Sequence, residues 1–351
     1  MKSFECDCGQ LLFFENTVCN SCGAMLGYLP DQQRLAAIKP QGNERWVAAG
    51  EFYRQCTNYQ HHQVCNWMIK EGDDSHFCHA CRLNHTIPNL EQPNNRYYWY
   101  LLEQAKRRLL VGLYALRLPV VGRDHDPDNG ICFSFLEELP TFQESETIIT
   151  GHAHGMITIN VAEADDVARE TMRSRMNEPY RTLLGHMRHE SGHYYWEHLI
   201  NGTRYMDEFR RCFGDERMDY DQALEGYYRQ GSAANWQLSY ISAYASAHPW
   251  EDWAESWAHY LHILDTLETA SDFGLSGKRA QLVVSEPYDR AVDFSQLLSN
   301  WESLVVALNS ISRSMGQADL YPFHIPEAVH KKLSFIHQRV IESTPYFPNQ
   351  T

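Results

Sequence analysis

The sequence predicts an α+β protein in which a small cysteine-rich region is followed by a larger, mainly α-helical domain with a small mixed sheet. Three observations lead to this prediction. Eight of the ten cysteines lie within the first 81 residues. Long stretches after residue 94 carry apolar residues at helical spacing. Between these stretches lie a few short runs of β-branched and aromatic residues, which are typical of strands. We expect the cysteine-rich region to span residues 1–90 and the helical domain to span residues 94–345.

The cysteines of the first region are spaced as in zinc ribbons rather than as in disulfide-linked domains. Two tight cysteine pairs that a hairpin brings together form a tetrahedral site of four thiolates for one zinc ion. No N-terminal run resembles a secretion signal, and disulfides are rare in proteins that stay inside the cell. The sequence therefore predicts a double zinc ribbon with two structural zinc ions, one held by Cys6, Cys8, Cys19 and Cys22 and the other by Cys56, Cys65, Cys78 and Cys81.

Residues next to the cysteines support the ribbon interpretation. Gly9 and Gly23 directly follow the second cysteine of their pairs, where a turn around a metal needs backbone angles that glycine adopts most easily. Residues 11–15, Leu-Leu-Phe-Phe-Glu, have strand character. Residues 31–49 contain Pro40 and Gly42 and are predicted to link the two halves of the ribbon region.

The second region begins after residues 88–95, which contain two prolines and three asparagines. Helical periodicity then predicts helices over 96–116, 163–176, 183–196, 205–213, 218–228, 294–315 and 327–342, and a further helix that starts at Pro249. Strands are predicted over 131–135, 147–150 and 156–160. A short mixed sheet beside many helices follows from this order.

His189 and His193 are four residues apart in a proline-free segment whose apolar residues have helical spacing. On a helix, positions i and i+4 lie on the same face, so both imidazoles can reach one metal ion. Glu190 follows the first histidine and would point at the water that completes a zinc shell. His-Glu-x-x-His is the arrangement in which zinc peptidases use the glutamate as general base.

A third ligand is predicted within residues 244–260. Pro249 suits the first turn of a helix, and acidic residues follow it, as the helix dipole favours. A carboxylate in this turn could complete a His-His-Glu zinc site with the fourth position open for water. Glu255, one turn further on, could accept the second ring N–H of a ligand histidine. A solvated acidic face is the competing interpretation, but the neighbouring tryptophans indicate a buried helix, in which unpaired carboxylates are costly.

Residues 251–255, Glu-Asp-Trp-Ala-Glu, resemble the Glu-x-x-Ala-Glu segment of gluzincin metallopeptidases. The resemblance implies one role for each matching residue: zinc ligands at His189, His193 and Glu251, the general base at Glu190, and support of a ligand histidine at Glu255. In these enzymes a tyrosine seven residues before the ligand glutamate stabilises the oxyanion, and Tyr244 occupies that position here. The choice between Glu251 and Glu255 as the ligand stays open, and His259 is a more distant candidate.

The layout of nearly the full chain resembles that of a family of zinc-binding metallopeptidases that carry an N-terminal zinc ribbon. The segments that carry this resemblance are residues 8–16, 65–67, 157–160, 163–165 and the two helices with the candidate ligands. The resemblance implies a zincin-like metallopeptidase domain. In zincins a strand borders the cleft and pairs with extended substrate, and we expect residues 156–160 to be that strand. The resemblance implies very little about the substrate.

Together these patterns predict a zinc-dependent hydrolase that cleaves peptide bonds in proteins or peptides, with one catalytic zinc ion besides the two structural ones. Two other interpretations stay open. The chain could be a non-catalytic zinc-ribbon adaptor for protein interactions whose zincin domain is a relic, or an amidase that acts on a non-protein amide.

Charge and hydropathy limit the partners. The net charge is −15, and residues 1–90 contain seven Lys and Arg against nine Asp and Glu, which argues against nucleic acid and acidic membranes as partners. The longest apolar stretch, residues 109–122, is too short to span a bilayer. We therefore expect a soluble, cytoplasmic protein, and the sequence does not indicate its oligomeric state.

Overall fold

The computed structural model describes residues 1–137, 150–176, 182–275 and 286–344. The described residues fall into two compact units: an N-terminal unit within residues 2–170, and a C-terminal unit of Met1 together with described residues between 171 and 344. The predicted domains, residues 1–90 and 94–345, follow a different division of the chain and stay a prediction. The predicted strand at 147–150 lies outside the described residues, apart from Thr150.

The N-terminal unit is built mainly from short strands. They are β1 (Phe4–Glu5), β2 (Leu11–Leu12), β3 (Leu26–Leu29), β4 (Arg34–Ala37), β5 (Lys39–Pro40), β6 (Arg45–Ala48), β7 (Glu51–Gln55), β8 (Met68–Lys70), β9 (Asn84–Thr86), β10 (Cys132–Leu136), β11 (Gly151–Ala153) and β12 (Met156–Asn160). Helix α1 (Asn95–Ala115) lies in this unit, and α2 (Asp166–Met176) begins in it. The prediction of a ribbon region followed by a mixed sheet is confirmed.

Two hairpins and an antiparallel sheet form the ribbon part of this unit. The strands pair in the orders β1-β2, β3-β4 and β5-β6-β7-β8. The predicted link at residues 31–49 is therefore wrong, because it contains β4, β5 and β6. The residues that suggested a link belong instead to β5 and to the turn between β5 and β6. Pro40 lies in the edge strand β5, where a missing N–H is tolerated, and Gly42 has a φ of +77° in the turn that follows.

The fourth sheet has the order β11-β12-β10-β9, with β10 parallel to both β12 and β9. Strand β12 matches the prediction for residues 156–160 in its bounds. It does not match in its expected role, because β11 pairs with Met156–Thr158 on one side and β10 pairs with the whole strand on the other. The backbone groups of residues 156–158 are thus already paired, which leaves no free edge there for an extended substrate.

Aromatic side chains hold the core of the N-terminal unit together. The ring centroid of Tyr28 lies 5.0 Å from that of Phe14 and 4.9 Å from that of Trp67. Tyr114 of α1 packs on Trp67 at 6.4 Å. Because Tyr28 lies in β3 and Phe14 lies two residues after the end of β2, this packing joins the first hairpins to α1.

The C-terminal unit is helical. Its helices are α3 (Leu183–Leu199), α4 (Met206–Phe213), α5 (Tyr220–Gln230), α6 (Pro249–Asp272), α7 (Phe294–Ser314) and α8 (Glu327–Glu342). Helix α6 is its centre and packs against α3, α4, α7 and α8. Its tryptophans Trp253 and Trp257 are fully buried, as expected from the sequence for a buried helix. Among the residues that the structure describes, no helix has the length and apolar character to cross a bilayer.

Candidate metal centre

Helix α3 presents the first two candidate ligands. Thr182 caps the helix, its Oγ1 accepting a hydrogen bond from the backbone N–H of Gly185 at 2.9 Å. The rings of His189 and His193, one turn apart, have centroids 5.1 Å from each other. The side chain of His189 is 12 % exposed and that of His193 is 6 % exposed, so both imidazoles lie mostly out of water.

The two residues between Glu190 and His193 bring α3 against α6. A Cβ atom at Gly192 would lie 2.9 Å from Cα of Ala254, so the two backbones approach closely at this point. The indole N–H of Trp253 donates a hydrogen bond to the carbonyl of Gly192 at 2.8 Å, and that of Trp257 donates one to Oγ of Ser191 at 3.1 Å. The absence of a side chain at Gly192 therefore allows α3 and α6 to pack closely here.

Helix α6 begins where the sequence predicts. His248 is its N-cap, with Nδ1 accepting a hydrogen bond from the backbone N–H of Trp250 at 3.1 Å, and Pro249 follows in the first turn. This start places Glu251 in the first turn, facing α3. Its Oε2 lies 3.0 Å from Nε2 of His189, and its Oε1 lies 3.6 Å from Nε2 of His193.

Glu255 lies one turn further along α6 and contacts the other nitrogen of the first imidazole. Its Oε1 lies 2.7 Å from Nδ1 of His189, and its Oε2 accepts a hydrogen bond from Oγ of Ser242 at 2.5 Å. Burial would raise the pKa of Glu255, but these two hydrogen bonds and the nearby imidazole lower it. An ionised Glu255 accepts the N–H at Nδ1 of His189, so Nε2 is the ring nitrogen available to bind a cation.

The charges of the site suit a cation. Burial would raise the pKa of Glu251, but the imidazoles of His193 and His189 and the hydroxyl of Tyr220 lower it to about 2. Burial alone would lower the pKa of His189, yet its contacts with Glu251 and Glu255 raise it well above the ordinary value. The two carboxylates are therefore anions, and they draw positive charge to the space between them and the imidazoles.

The spacing of the ligand atoms fits a zinc ion. His189, His193 and Glu251, here called the histidine–glutamate cluster, each offer one ligand atom, and these atoms lie within 4.8 Å of one another. Nitrogen and oxygen ligands about 2.0–2.1 Å from a tetrahedral zinc ion are about 3.3 Å apart. The carboxylate of Glu251 approaches Nε2 of His189 through Oε2 at 3.0 Å and Nε2 of His193 through Oε1 at 3.6 Å, on either side of that value.

The remaining sequence-predicted residues have separate positions. Glu190 lies beside His189 in α3 and is 7 % exposed. The ring of Tyr244, in a short 3-10 helix at Tyr244–Ser246, has its centroid 6.0 Å from that of His189. His259 does not belong to the histidine–glutamate cluster, and its Nδ1 is 2.7 Å from the hydroxyl of Tyr321.

Three residues at this site were missed from the sequence. The hydroxyl of Tyr220 donates a hydrogen bond to Oε1 of Glu251 at 2.5 Å. Ser242 holds Glu255, as described above. The ring of Trp250 meets that of His193 edge to face at 4.4 Å. Trp250 could have been found from its place next to Glu251, whereas nothing in the sequence marks Tyr220 or Ser242.

The N-terminal unit contains two further candidate sites. The first cysteine cluster consists of Cys6, Cys8, Cys19 and Cys22, and the second cysteine cluster of Cys56, Cys65, Cys78 and Cys81. All ten cysteines lie in the described ranges and are free thiols. Sulfur atoms are 3.7 Å apart in the pairs Cys6–Cys22, Cys8–Cys19 and Cys65–Cys78. Four sulfurs about 2.3 Å from a tetrahedral zinc ion are about 3.8 Å apart, so both clusters fit this metal.

The two cysteine clusters differ in exposure. Cys8 and Cys22 of the first are exposed, whereas all four members of the second are buried. Gly9 and Gly23 of the first have φ of +84° and +75°, as the predicted turns require. The second lies near Arg107, which is 1 % exposed. Burial would lower the pKa of Arg107, but the charges of Cys65, Glu103 and other neighbouring cysteines raise it. A guanidinium here offsets the negative charge of four thiolates around a zinc ion.

Comparisons with known proteins match both regions. A family model described as "Putative zinc-binding metallo-peptidase" matches residues 95–339, and one described as a zinc-ribbon domain matches residues 3–92. The chain is 42 % identical over 349 residues to an uncharacterized protein of Mycobacterium bovis and to uncharacterized proteins of two strains of Mycobacterium tuberculosis. These alignments cover 99 % of this chain and 97 % of each relative. No solved structure matches the chain.

Proposed function

Because the chain belongs to the family described as "Putative zinc-binding metallo-peptidase", we propose that it is a zinc-dependent hydrolase that cleaves peptide bonds with a catalytic zinc ion in its histidine–glutamate cluster. One observation carries the proposal. Nε2 of His189, Nε2 of His193 and the carboxylate of Glu251 converge from two helices at separations that suit one tetrahedral zinc ion. Three protein ligands of this kind are typical of catalytic rather than structural zinc, since they leave a position open.

Glu190 is the general base of the proposed reaction. A zinc ion held by His189, His193 and Glu251 would supply Lewis acidity and would lower the pKa of water toward about 7. Glu190 follows His189 directly on α3 and is 7 % exposed, so its carboxylate lies in a mostly dry environment beside the cluster. It takes the proton of the attacking water and later delivers this proton to the leaving amine.

Glu255 and Tyr244 have supporting roles. Glu255 holds Nδ1–H of His189 at 2.7 Å, which fixes the ring orientation and directs Nε2 toward the cluster. Tyr244 lies beside His189, and burial raises the pKa of its hydroxyl well above the ordinary value. A hydroxyl that keeps its proton is a hydrogen-bond donor, as a residue that stabilises the oxyanion of a cleaved amide must be.

The other expected metals and partners follow from the same proposal. The two cysteine clusters hold one structural zinc ion each, which gives three zinc ions per chain. The substrate is a protein or peptide. Nucleic acid is disfavoured as a partner by the net charge of −15.

Replacing the general base tests the function. Glu190→Gln should keep three zinc ions per chain and lose cleavage of a degenerate peptide library by about 10²–10⁴-fold, since the amide cannot take the proton. Mass spectrometry of the library measures cleavage, and elemental analysis measures zinc. Glu197→Gln is the matched control, because Glu197 lies on the same helix and is exposed. Undiminished cleavage by Glu190→Gln would remove Glu190 from this role, and a wild type that never holds a third zinc ion would refute the function.

A further inference from the structure

Tyr220 has an unusual position for a residue of a surface helix. It is the first residue of α5, after the N-cap Asp219, whose Oδ1 accepts a hydrogen bond from the backbone N–H of Gln222 at 3.0 Å. All of α5 belongs to the described chain, and none of its residues is buried. The ring of Tyr220 nevertheless meets those of His248 and Trp250 edge to face, at 5.2 and 5.7 Å. Tyr220 is therefore held against the start of α6, at the cluster rather than in the apolar core.

The two oxygens of Glu251 have different neighbours. Oε2 lies 3.0 Å from Nε2 of His189. Oε1 accepts the hydrogen bond from the hydroxyl of Tyr220 at 2.5 Å and lies farther from Nε2 of His193, at 3.6 Å. A buried carboxylate is an acceptor only, so the phenol is the donor. A short O–H···O⁻ hydrogen bond of this kind belongs to the strong, charge-assisted class.

This difference affects how the carboxylate can hold a metal. A glutamate binds a cation through one oxygen or through both. A donor on Oε1 occupies lone-pair density of that oxygen and leaves Oε2 as the better ligand. If both oxygens bound the ion, the carboxylate would also take the coordination position that a catalytic zinc site keeps open.

We propose that Tyr220 is a positioning residue that holds Oε1 of Glu251, so that this carboxylate binds the catalytic zinc ion through one oxygen and one coordination position stays free for water. The proposal rests on the proposed zinc site. It also assigns a function to α5, none of whose residues is buried: this helix places the hydroxyl of Tyr220 on a metal ligand.

Tyr220→Phe tests the role, because it removes the hydroxyl and keeps the ring against His248 and Trp250. We expect the zinc affinity of the histidine–glutamate cluster to fall about 10–100-fold, as is typical when a partner of a metal ligand is lost. Competition with a chelator measures this affinity, and the zinc ions of the cysteine clusters are the internal reference. Tyr228→Phe removes the same group from a residue of α5 that is 59 % exposed, and should keep the wild-type affinity.

A spectroscopic measurement separates positioning from a general loss of structure. With cobalt(II) in the histidine–glutamate cluster, the d–d absorption should weaken in Tyr220→Phe as both oxygens of Glu251 bind and the coordination number rises. A variant whose thermal unfolding matches the wild type but whose cobalt spectrum differs supports the proposal. Wild-type zinc affinity together with the wild-type cobalt spectrum would overturn it, as would a loss of cleavage at unchanged affinity, which would mean that Tyr220 acts on the substrate.

The metal content of a third variant distinguishes failure of this inference from failure of the proposed function. His193→Ala should hold two zinc ions and wild type three. If this difference is seen and Tyr220→Phe behaves as wild type, only the role of Tyr220 is refuted. If wild type and His193→Ala hold the same number, the metal site itself is refuted.

Discussion

Gly192 shows how a single residue determines the distance between the two helices that carry the ligands. An alanine Cβ at this position would lie 2.9 Å from Cα of Ala254 and 3.2 Å from Cβ of Trp257. Neither atom is the flexible end of a side chain, so α3 and α6 would have to separate. We expect Gly192→Ala to lower the free energy of unfolding by about 1–3 kcal/mol, the usual cost of overpacking, as measured by urea unfolding.

Gly226→Ala is the matched control for this prediction. Gly226 lies inside α5, and apart from its chain neighbours and the nearby backbone of its own helix, a Cβ there would meet no described atom within 4 Å. Alanine should raise the free energy of unfolding by about 0.5–1 kcal/mol, because it restricts the unfolded chain and favours the helix. If Gly192→Ala were stabilising to the same extent, the close approach of the two helices would not depend on the missing Cβ.

The residues of the site differ in how far the sequence could identify them. His189, Glu190 and His193 are neighbours on one helix, so their spacing alone predicts their grouping. Glu251 and Glu255 lie one turn apart on the same face of α6 and both contact His189, and which of them reaches Nε2 depends on how far α6 is shifted along α3. The close approach of Gly192 to Ala254 fixes that shift, and a sequence pattern does not contain it.

At the scale of the element, α6 carries histidine as well as carboxylate into the interior. His259 is 4 % exposed, and burial lowers its pKa to about 4 from an ordinary value of 6.5. Above pH 6.5 the ring is neutral in the folded and the unfolded chain, so the stability is fully present. As the pH falls toward 4, only the unfolded chain takes up the proton, and stability is lost. At pH 5 this loss is about 2 kcal/mol.

Urea unfolding at pH 7.5 and pH 5 measures this loss. His259→Gln keeps a group that can bond to Tyr321 but does not titrate, so its drop in the free energy of unfolding should be smaller than that of wild type by about 2 kcal/mol. Other groups that titrate between pH 7.5 and pH 5, including the metal ligands, contribute equally to the decrease in the free energy of unfolding in both proteins. Their effects therefore cancel when the two decreases are compared. His125→Gln, which changes a side chain that is 59 % exposed, is the control and should show the wild-type drop. Equal drops in wild type and His259→Gln would contradict the prediction.

Long helices were more predictable than short strands. Helices α1 (Asn95–Ala115), α7 (Phe294–Ser314) and α8 (Glu327–Glu342) lie within about one residue of their predicted bounds, since several turns of apolar periodicity define each of them. The strands of the ribbon part are two to five residues long, too short for a period-two pattern to stand out. Their pairing is set by turns and by the cysteine clusters, which is why the interpretation of residues 31–49 failed.

At the scale of the whole molecule, the two cysteine clusters should lose their zinc in a fixed order. Cys8 and Cys22 are exposed, so a chelator and an alkylating reagent can reach the first cluster in the folded chain. The second cluster is buried throughout and has Arg107 near it, so its metal should leave only when the N-terminal unit opens. We expect alkylation of the first cluster to be complete well before that of the second, as followed by mass spectrometry of labelled peptides.

The melting temperatures of the variants Cys8→Ser and Cys65→Ser test the difference between the two cysteine clusters in a second way. Each should remove one zinc ion, because serine is a poor zinc ligand. Cys65→Ser should lower the melting temperature more than Cys8→Ser does. Loss of this zinc ion leaves the remaining cysteines of a buried site without their metal, and it leaves the buried guanidinium of Arg107 without the negative charge of the cluster. Simultaneous labelling of both clusters would show that exposure of the cysteines does not determine the order of zinc loss. Equal melting temperatures of the two variants would show that burial of the cluster does not determine its contribution to stability.

The parallel pairing of β9 with β10 has a practical consequence. Asn84 and Thr86 lie ahead of the residues that match the peptidase family, yet they pair with Phe133 and Ser134 and close one margin of the four-stranded sheet. A fragment that starts at residue 95 would lack β9 and leave this side of β10 unpaired. Its exposed amide and carbonyl groups could then form hydrogen bonds with a strand of another molecule. We expect such a fragment to aggregate, so its lack of activity would not be evidence against peptide cleavage by the intact protein.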